Sequence, residues 1–162
     1  MRPTRLLLLA LLAALPACES PRPAVVEAPA DADAGEVPFE LRGPGGAALV
    51  VPVQVNGEGP FDFVLDTGAT LMCLDRTVVE RLGLTGGGTG VGAGVQGTGR
   101  LQLVRLDSVR LGGARAERLS ACVLDLEHTH ALGIEVQGLV GLNFLREFRV
   151  TLDFERNVLV LQ

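Results

Sequence analysis

One carboxylate is set apart by its surroundings. Asp66 closes the apolar run Phe61-Asp62-Phe63-Val64-Leu65 and is followed by Thr67-Gly68-Ala69-Thr70. The strand-like run offers a rigid, dry support, and Gly68 lets the backbone come close to the carboxylate. Thr67 brings a hydroxyl able to lock the loop. Two carboxylates that face one water molecule resist double ionisation, so such a pair holds one proton between them. The ionised member takes a proton from the water and the protonated member donates to a carbonyl, which amounts to acid–base hydrolysis. Asp-Thr-Gly occurs once in the chain; Asp107-Ser108-Val109 is its nearest echo and lacks the glycine. One chain thus supplies one carboxylate, and this chemistry calls for a second copy across a two-fold axis, or for assembly with another half-site.

Other groupings fit their chemistry less well. Gly92-Ala93-Gly94-Val95-Gln96-Gly97 matches the dinucleotide fingerprint Gly-x-Gly-x-x-Gly, which works where a strand ends and a helix begins. Here a glycine run precedes it and an alternating stretch from Leu101 follows. A hairpin able to open and close over a ligand is the better reading, with a disordered loop as its alternative. His128 and His130 flank Thr129, with Asp125 and Glu127 just before, and two imidazoles on one strand face could begin a metal site. No third strong ligand stands at a fitting spacing. The segment reads as a solvated connection, and neither a metal nor an organic cofactor is expected. Arg146, Glu147 and Arg149 read as a solvated face.

The elements that must position Asp66 belong to a chain of 162 residues, enough for one domain with a modest core. Apolar residues make up 48%, aromatics 4%, and glycine is frequent at 21, which favours short strands and loops over a helical bundle. Histidines aside, every basic residue is arginine, and the formal net charge is −5. No basic run lies in the body, so nucleic acid is not expected as a partner.

Arg2 and Arg5 precede an uninterrupted leucine and alanine stretch at 6–15. That stretch suits the core of an export signal and falls well short of the roughly 20 residues a membrane-spanning helix needs. Leu15-Pro16-Ala17-Cys18 resembles the bacterial lipobox, whose cysteine is lipidated and becomes the new N-terminus. The expected organisation is a signal peptide at 1–17, a lipidated Cys18 opening a flexible tether at 18–38, and a folded body at 39–162. The tether assignment rests on a mixture of Pro, Ala and acids without apolar periodicity. Such a chain is exported to a bacterial cell envelope, faces the periplasm, and meets membrane only through Cys18. An oxidising compartment permits a disulfide between Cys73 and Cys122, but their spacing leaves the matter open.

Within the body, 48–55 and 60–65 are apolar, β-branched-rich runs separated by Asn56-Gly57-Glu58-Gly59, the signature of a hairpin. Residues 71–74 read as a short strand, with Asp75 placed to cap a helix at 76–82 and Gly83 to end it. Residues 85–99 hold eight glycines in fifteen positions. Alternation resumes from Leu101 to Val109, Leu111-Gly112-Gly113 makes a turn, and 115–126 gives one or two more strands. Gly138-Leu139-Val140-Gly141 is an apolar burst bounded by glycines. A short helix at 142–147 and a terminal hairpin at 148–154 and 158–161 complete the pattern.

Phe63-Val64-Leu65-Asp66-Thr67-Gly68-Ala69 resembles the active-site signature of retropepsin-like aspartic proteases, specifically their bacterial exported branch. Leu139-Val140-Gly141 resembles the apolar-apolar-Gly element that crosses behind their active loop. The resemblance covers most of 47–161. It implies a mainly β fold, a small closed β-barrel half with a glycine-rich flap hairpin and one or two short helices. It also implies an aspartic endopeptidase that acts on peptide or protein substrates as a homodimer. Asp66 would be catalytic, with Thr67, Gly68 and Ala69 supporting the loop. Gly90, Val91, Gly92, Ala93 and Gly94 would form the flap, and Leu139, Val140 and Gly141 would pack behind the loop. Residues 158–162 would join a dimer sheet. Ala69, where pepsin-like enzymes more often carry a hydroxyl, implies an optimum nearer weakly acidic to neutral pH. Just after the apolar-apolar-Gly element, where retroviral relatives place a bracing arginine, this chain has Leu142 and Asn143. The rival reading is a non-catalytic peptide-binding or scaffolding lipoprotein of the same fold. A complete Asp-Thr-Gly favours the enzyme, because binding alone needs no ionisable group there.

Overall fold

The computed structural model describes residues 23–28, 35–94 and 97–162, and side chains outside 92–98. The expected signal peptide and Cys18 lie outside the described residues. Strands β4 (Ala48–Val55) and β5 (Glu58–Leu65) form the hairpin that delivers Asp66. Their turn is Asn56-Gly57 alone, with φ of 51° and 82°, the doubly positive backbone of a tight two-residue turn. Asn56 does a second job, since its Oδ1 accepts the amides of Asp107 at 2.9 Å and Ser108 at 3.0 Å. Alternation sends Val51, Val53, Val55, Phe61 and Phe63 into the core, each no more than 2% exposed.

β6 (Met72–Asp75) leads into α1 (Arg76–Arg81), and the cap expected of Asp75 is made. Its Oδ1 accepts the Thr77 amide at 2.9 Å and the Thr77 hydroxyl, while its Oδ2 accepts the Leu126 amide at 2.9 Å. Burial works against ionisation of this carboxyl. The Thr77 and Leu126 bonds outweigh it, helped by His130, and hold the pKa below its ordinary 3.8.

The glycine-rich segment is an antiparallel hairpin of β7 (Gly86–Gly94) and β8 (Gly97–Leu111). β8 then turns at Gly112-Gly113 into β9 (Ala114–Leu124). A one-turn helix, α2 (Glu127–His130), stands where a plain connection was expected. β10 (Gly138–Val140), α3 (Leu142–Leu145), β11 (Val150–Asp153) and β12 (Val158–Leu161) follow. The fold is mainly β, as expected, with three short helices among the described residues.

Pairings close a ring in the order β9, β6, β10, β5, β4, β8 and back to β9. Phe63, Met72, Leu74, Leu106, Leu119 and Phe144 fill it, each 2% exposed or less. Cys73 and Cys122 sit directly opposite each other in the parallel β6–β9 pair, their Cα atoms 4.4 Å apart, and are joined as a disulfide. Sequence spacing could not reveal this, because the pairing brings together residues 49 apart.

Two expectations need correction. The tether does not run unpaired to Pro38. β1 (Val25–Glu27) adds to the edge of β9, and β2 (Glu36–Pro38) pairs with β12, burying Val37 to 1%. Backbone pairing and one buried valine suffice there without any apolar periodicity. The dimer-sheet role foreseen for 158–162 also fails in its simple form. β12 is the middle strand between β11 and β2, so both its edges are occupied within the chain, and Leu159 and Leu161 are fully buried. β3 (Glu40–Arg42) continues from β2 and pairs with β4. Among the described residues, no helix is long and apolar enough to cross a membrane.

Reducing the bridge, or replacing both its cysteines by alanine, is expected to lower the unfolding free energy by about 3 kcal/mol. The urea midpoint reads this; a midpoint indifferent to reductant would show that the bridge adds nothing. Asp75→Ala is expected to cost about 1 kcal/mol at neutral pH. Because the folded-state pKa lies below 3.8, that contribution is complete above the ordinary value and disappears as pH falls through the folded one. Unfolding both chains across this acid window is the check, and a cost that stays constant to its acid end would rule out the carboxylate as its source.

Candidate active site

β10 lies between β5 and β6, parallel to β5 and antiparallel to β6. It pairs Val140 with Leu65, and the ladder runs one residue further, where the Asp66 amide donates to the Val140 carbonyl at 3.1 Å. The loop then folds back on itself. Asp66 Oδ1 accepts the Gly68 amide at 2.8 Å, and the Asp66 carbonyl accepts the Ala69 amide at 3.2 Å. A Cβ at Gly68 would stand 3.2 Å from Asp66 Oδ1, so any side chain there presses on the carboxylate.

The glycines that bound β10 allow the crossing. A Cβ on Gly141 would fall 2.2 Å from the Leu71 carbonyl oxygen, and one on Gly138 would fall 2.4 Å from the Phe63 ring and 2.5 Å from the Cys73 oxygen. No residue with a side chain fits at either point without moving backbone or core. Leu139 is half-buried and Val140 fully buried in this crossing.

The start of α3 fastens the far side of the loop. The amides of Leu142 and Asn143, unpaired at a helix N-terminus, donate to the carbonyls of Ala69 at 2.8 Å and Thr70 at 3.0 Å. The Asn143 side chain extends the grip: its Oδ1 accepts the Met72 amide at 2.7 Å and its Nδ2 donates to the Ser120 carbonyl at 2.8 Å. Asn143 was not foreseen. Its position two residues after Gly141 was the available signal, and only the fold shows which backbone groups it reaches. Thr67 is exposed, and among the described residues its hydroxyl makes no hydrogen bond, so the lock expected of it is not seen there. The loop is held instead by backbone amides and Asn143.

The remaining candidates sort by position. Gly90, Val91, Gly92, Ala93 and Gly94 all lie on β7, and Val91 is 78% exposed. The Gly-x-Gly-x-x-Gly run therefore leads from strand to strand rather than into a helix. His128 and His130 fall on α2, and no group of three or more His, Cys, Asp or Glu side chains among the described residues stands ready to hold a metal. Arg146 makes an exposed pair with Glu147 at 3.2 Å. A cavity of about 650 Å³ lies at the far end of β6 and β10 from Asp66, beside the middle of β5, lined by Asp62, Asp75 and Gln137 among others. Much of its polar lining is occupied. Arg42 bonds Asp62 at 2.7 Å and the Glu135 carbonyl at 3.0 Å, and Gln137 bonds the Asp62 amide at 2.7 Å. Asp66 itself is half-buried on a loop whose Thr67, Gly68 and Thr70 are exposed.

Comparison with known proteins agrees with this geometry. A family model described as aspartyl protease matches residues 51–144, which takes in the hairpin, the Asp66 loop, the glycine-rich strands, β10 and the start of α3. The fold is similar to the crystal structure of a retropepsin-like aspartic protease from Rickettsia conorii, with a TM-score of 0.52 and 18% identity over 86% of this chain and 94% of that one. At that identity the likeness speaks for the fold: it is retropepsin-like. No curated protein is similar in sequence to this chain.

Asn143→Ala removes two side-chain bonds and strands the Met72 amide and the Ser120 carbonyl. A loss of about 2 kcal/mol in stability is expected, with faster amide exchange at Met72 than at the β4–β5 core. Unchanged exchange at Met72 would deny Asn143 its bracing role.

Proposed function

Since the chain belongs to the aspartyl protease family, we propose that it is an aspartic endopeptidase whose active site is completed by two Asp66 carboxylates meeting across a homodimer. The carrying observation is the Asp66 loop itself. It presents a single carboxylate on an exposed loop, held from below by β10 and from the side by α3. A loop so firmly supported, yet exposed on one copy, suits a surface that becomes an interior when two copies join. The exposed Thr67 and the apolar Leu142, 38% exposed beside Ala69, support the same contact.

In this reading the two carboxylates share a proton, one draws a proton from a water held between them, and the other donates to the scissile carbonyl of a peptide. The β7–β8 hairpin lies over the substrate and its glycines let it open. No cofactor enters. The leader directs export, Cys18 carries a lipid, and the domain works in a bacterial envelope facing the periplasm.

Asp66→Asn is expected to reduce cleavage of a peptide library to background while leaving the dimer intact by sedimentation. Specific activity of the wild type should fall on dilution as dimers dissociate. Equal cleavage by both chains, or full activity in a monomer at every concentration, would overturn the proposal. The rate is expected to peak at weakly acidic to neutral pH, and a maximum in the gastric range would contradict the role given to Ala69.

A further inference from the structure

A separate cavity, of about 320 Å³, opens on the outer face of β4, β8 and β9, away from the Asp66 loop. Gln54, Asn56, Gly57, Ser108, Arg110 and Arg115 line it. Register explains the grouping. Gln54 stands opposite Arg110 across β4–β8, and Arg110 stands opposite Arg115 across β8–β9. Directly opposed residues on antiparallel strands hold their Cβ atoms about 5 Å apart, where like charges repel. Two arginines thus stand opposite each other, both lining the cavity, in a chain whose net charge is −5.

Neighbouring acids only partly relieve the pair. Arg115 bonds Glu117 at 2.8 Å, yet its Nε is buried without a hydrogen-bond partner. Glu27 faces Arg115 across β1–β9 but lies outside the cavity lining. Arg110 forms no ion pair among the described residues. A buried donor without a partner carries a desolvation cost, and it marks a place where an acceptor is missing.

We propose that this notch binds a phosphate group. Arg110, Arg115, Gln54 and Ser108, whose side chains carry N–H and O–H donors, line one small volume from three strands. A tetrahedral oxyanion can use donors arriving from several directions, whereas a planar carboxylate is satisfied by a single fork. The phosphate has two available sources. One is a phospholipid headgroup: β1 pairs along β9 at this face, and Arg118 Nε donates to the Pro23 carbonyl at 3.1 Å. Seven residue steps lead from Cys18 to Val25, a reach of at most about 25 Å. If Cys18 is lipidated, the notch lies near the bilayer surface. The other source is a free phosphate ester. The notch itself depends on neither the hydrolytic reading nor the anchor.

The test compares the exported chain with its R110Q/R115Q variant in phosphate-free buffer at fixed ionic strength. Each is titrated with inorganic phosphate and with glycerol 3-phosphate, followed by thermal unfolding. Each is also sedimented with phosphatidylcholine vesicles, with or without phosphatidylglycerol. Phosphate is expected to raise the wild-type melting temperature and to leave the variant unmoved, its affinity weakened roughly tenfold or more. Sedimentation that depends on phosphatidylglycerol and on both arginines assigns the headgroup. A response to glycerol 3-phosphate without vesicle binding assigns a soluble ester. A wild type that responds to no probe, or only as it does to chloride, overturns the proposal, as does a variant that responds like the wild type. The variant removes a like-charge pair and an unpartnered buried donor, so its melting temperature without phosphate should match or exceed the wild type's. Peptide cleavage, where present, should be unchanged in the variant.

Discussion

The structure depends on one insertion, that of β10 into the gap between β5 and β6. These two strands follow each other in sequence yet are not hydrogen-bonded to each other, because β10 stands between them. Their connection must therefore span two strand spacings, about 10 Å, rather than close a simple hairpin. Residues 66–71 have more chain than that distance needs, and the surplus is taken up by the turn in which Asp66 accepts the Gly68 amide. The carboxylate is placed by this geometry. A strand can enter the gap only if its ends carry nothing that strikes the neighbouring backbone, which is why glycine occupies 138 and 141.

The insertion also decides how rigid the loop can be. Val140 holds the Asp66 amide from one side, and the first amides of α3 hold the carbonyls of Ala69 and Thr70 from the other. Asn143 then ties Met72 to Ser120, and one residue further along the same strand pair the Cys73–Cys122 bridge repeats the tie covalently. The β6–β9 pairing is parallel, the slightly weaker kind per residue, and these two cross-links fall on its first residues, nearest the loop. A retropepsin-like fold without an arginine after the apolar-apolar-Gly element thus still has a brace, built from a neutral amide that serves as donor and acceptor at once.

What could be read from sequence was local. Asn56-Gly57 announces its hairpin because only a few residue types accept two positive φ angles in succession, and Asp75 announces α1 because a capping carboxylate acts within its own turn. Asp-Thr-Gly and Leu-Val-Gly were legible as parts of a known pattern, so the mainly β, retropepsin-like fold followed. Features that depend on a distant partner were not legible. Val25–Glu27 and Glu36–Pro38 carry too little apolar pattern to declare themselves, and only the free edges of β9 and β12 give them a structure. The partners of Asn143 are 71 and 23 residues away, and nothing in the intervening chain records those distances. The same limit applied to Cys73 and Cys122.

β1 changes the physical picture of an anchored domain. A tether of some twenty free residues would let the body tumble and would separate the anchor from the fold. With Val25–Glu27 paired on β9 and the Pro23 carbonyl held by Arg118, the chain joins the sheet at a fixed place, five residues after Cys18 in sequence. If the anchor is present, two copies in one membrane would share an orientation before they meet. Confinement then raises their effective concentration and removes rotational freedom that free monomers would lose on pairing. The occupied edges of β12 reduce the opportunity for strand exchange between copies. Association of two copies would instead rest on loops and on faces such as that around Leu142.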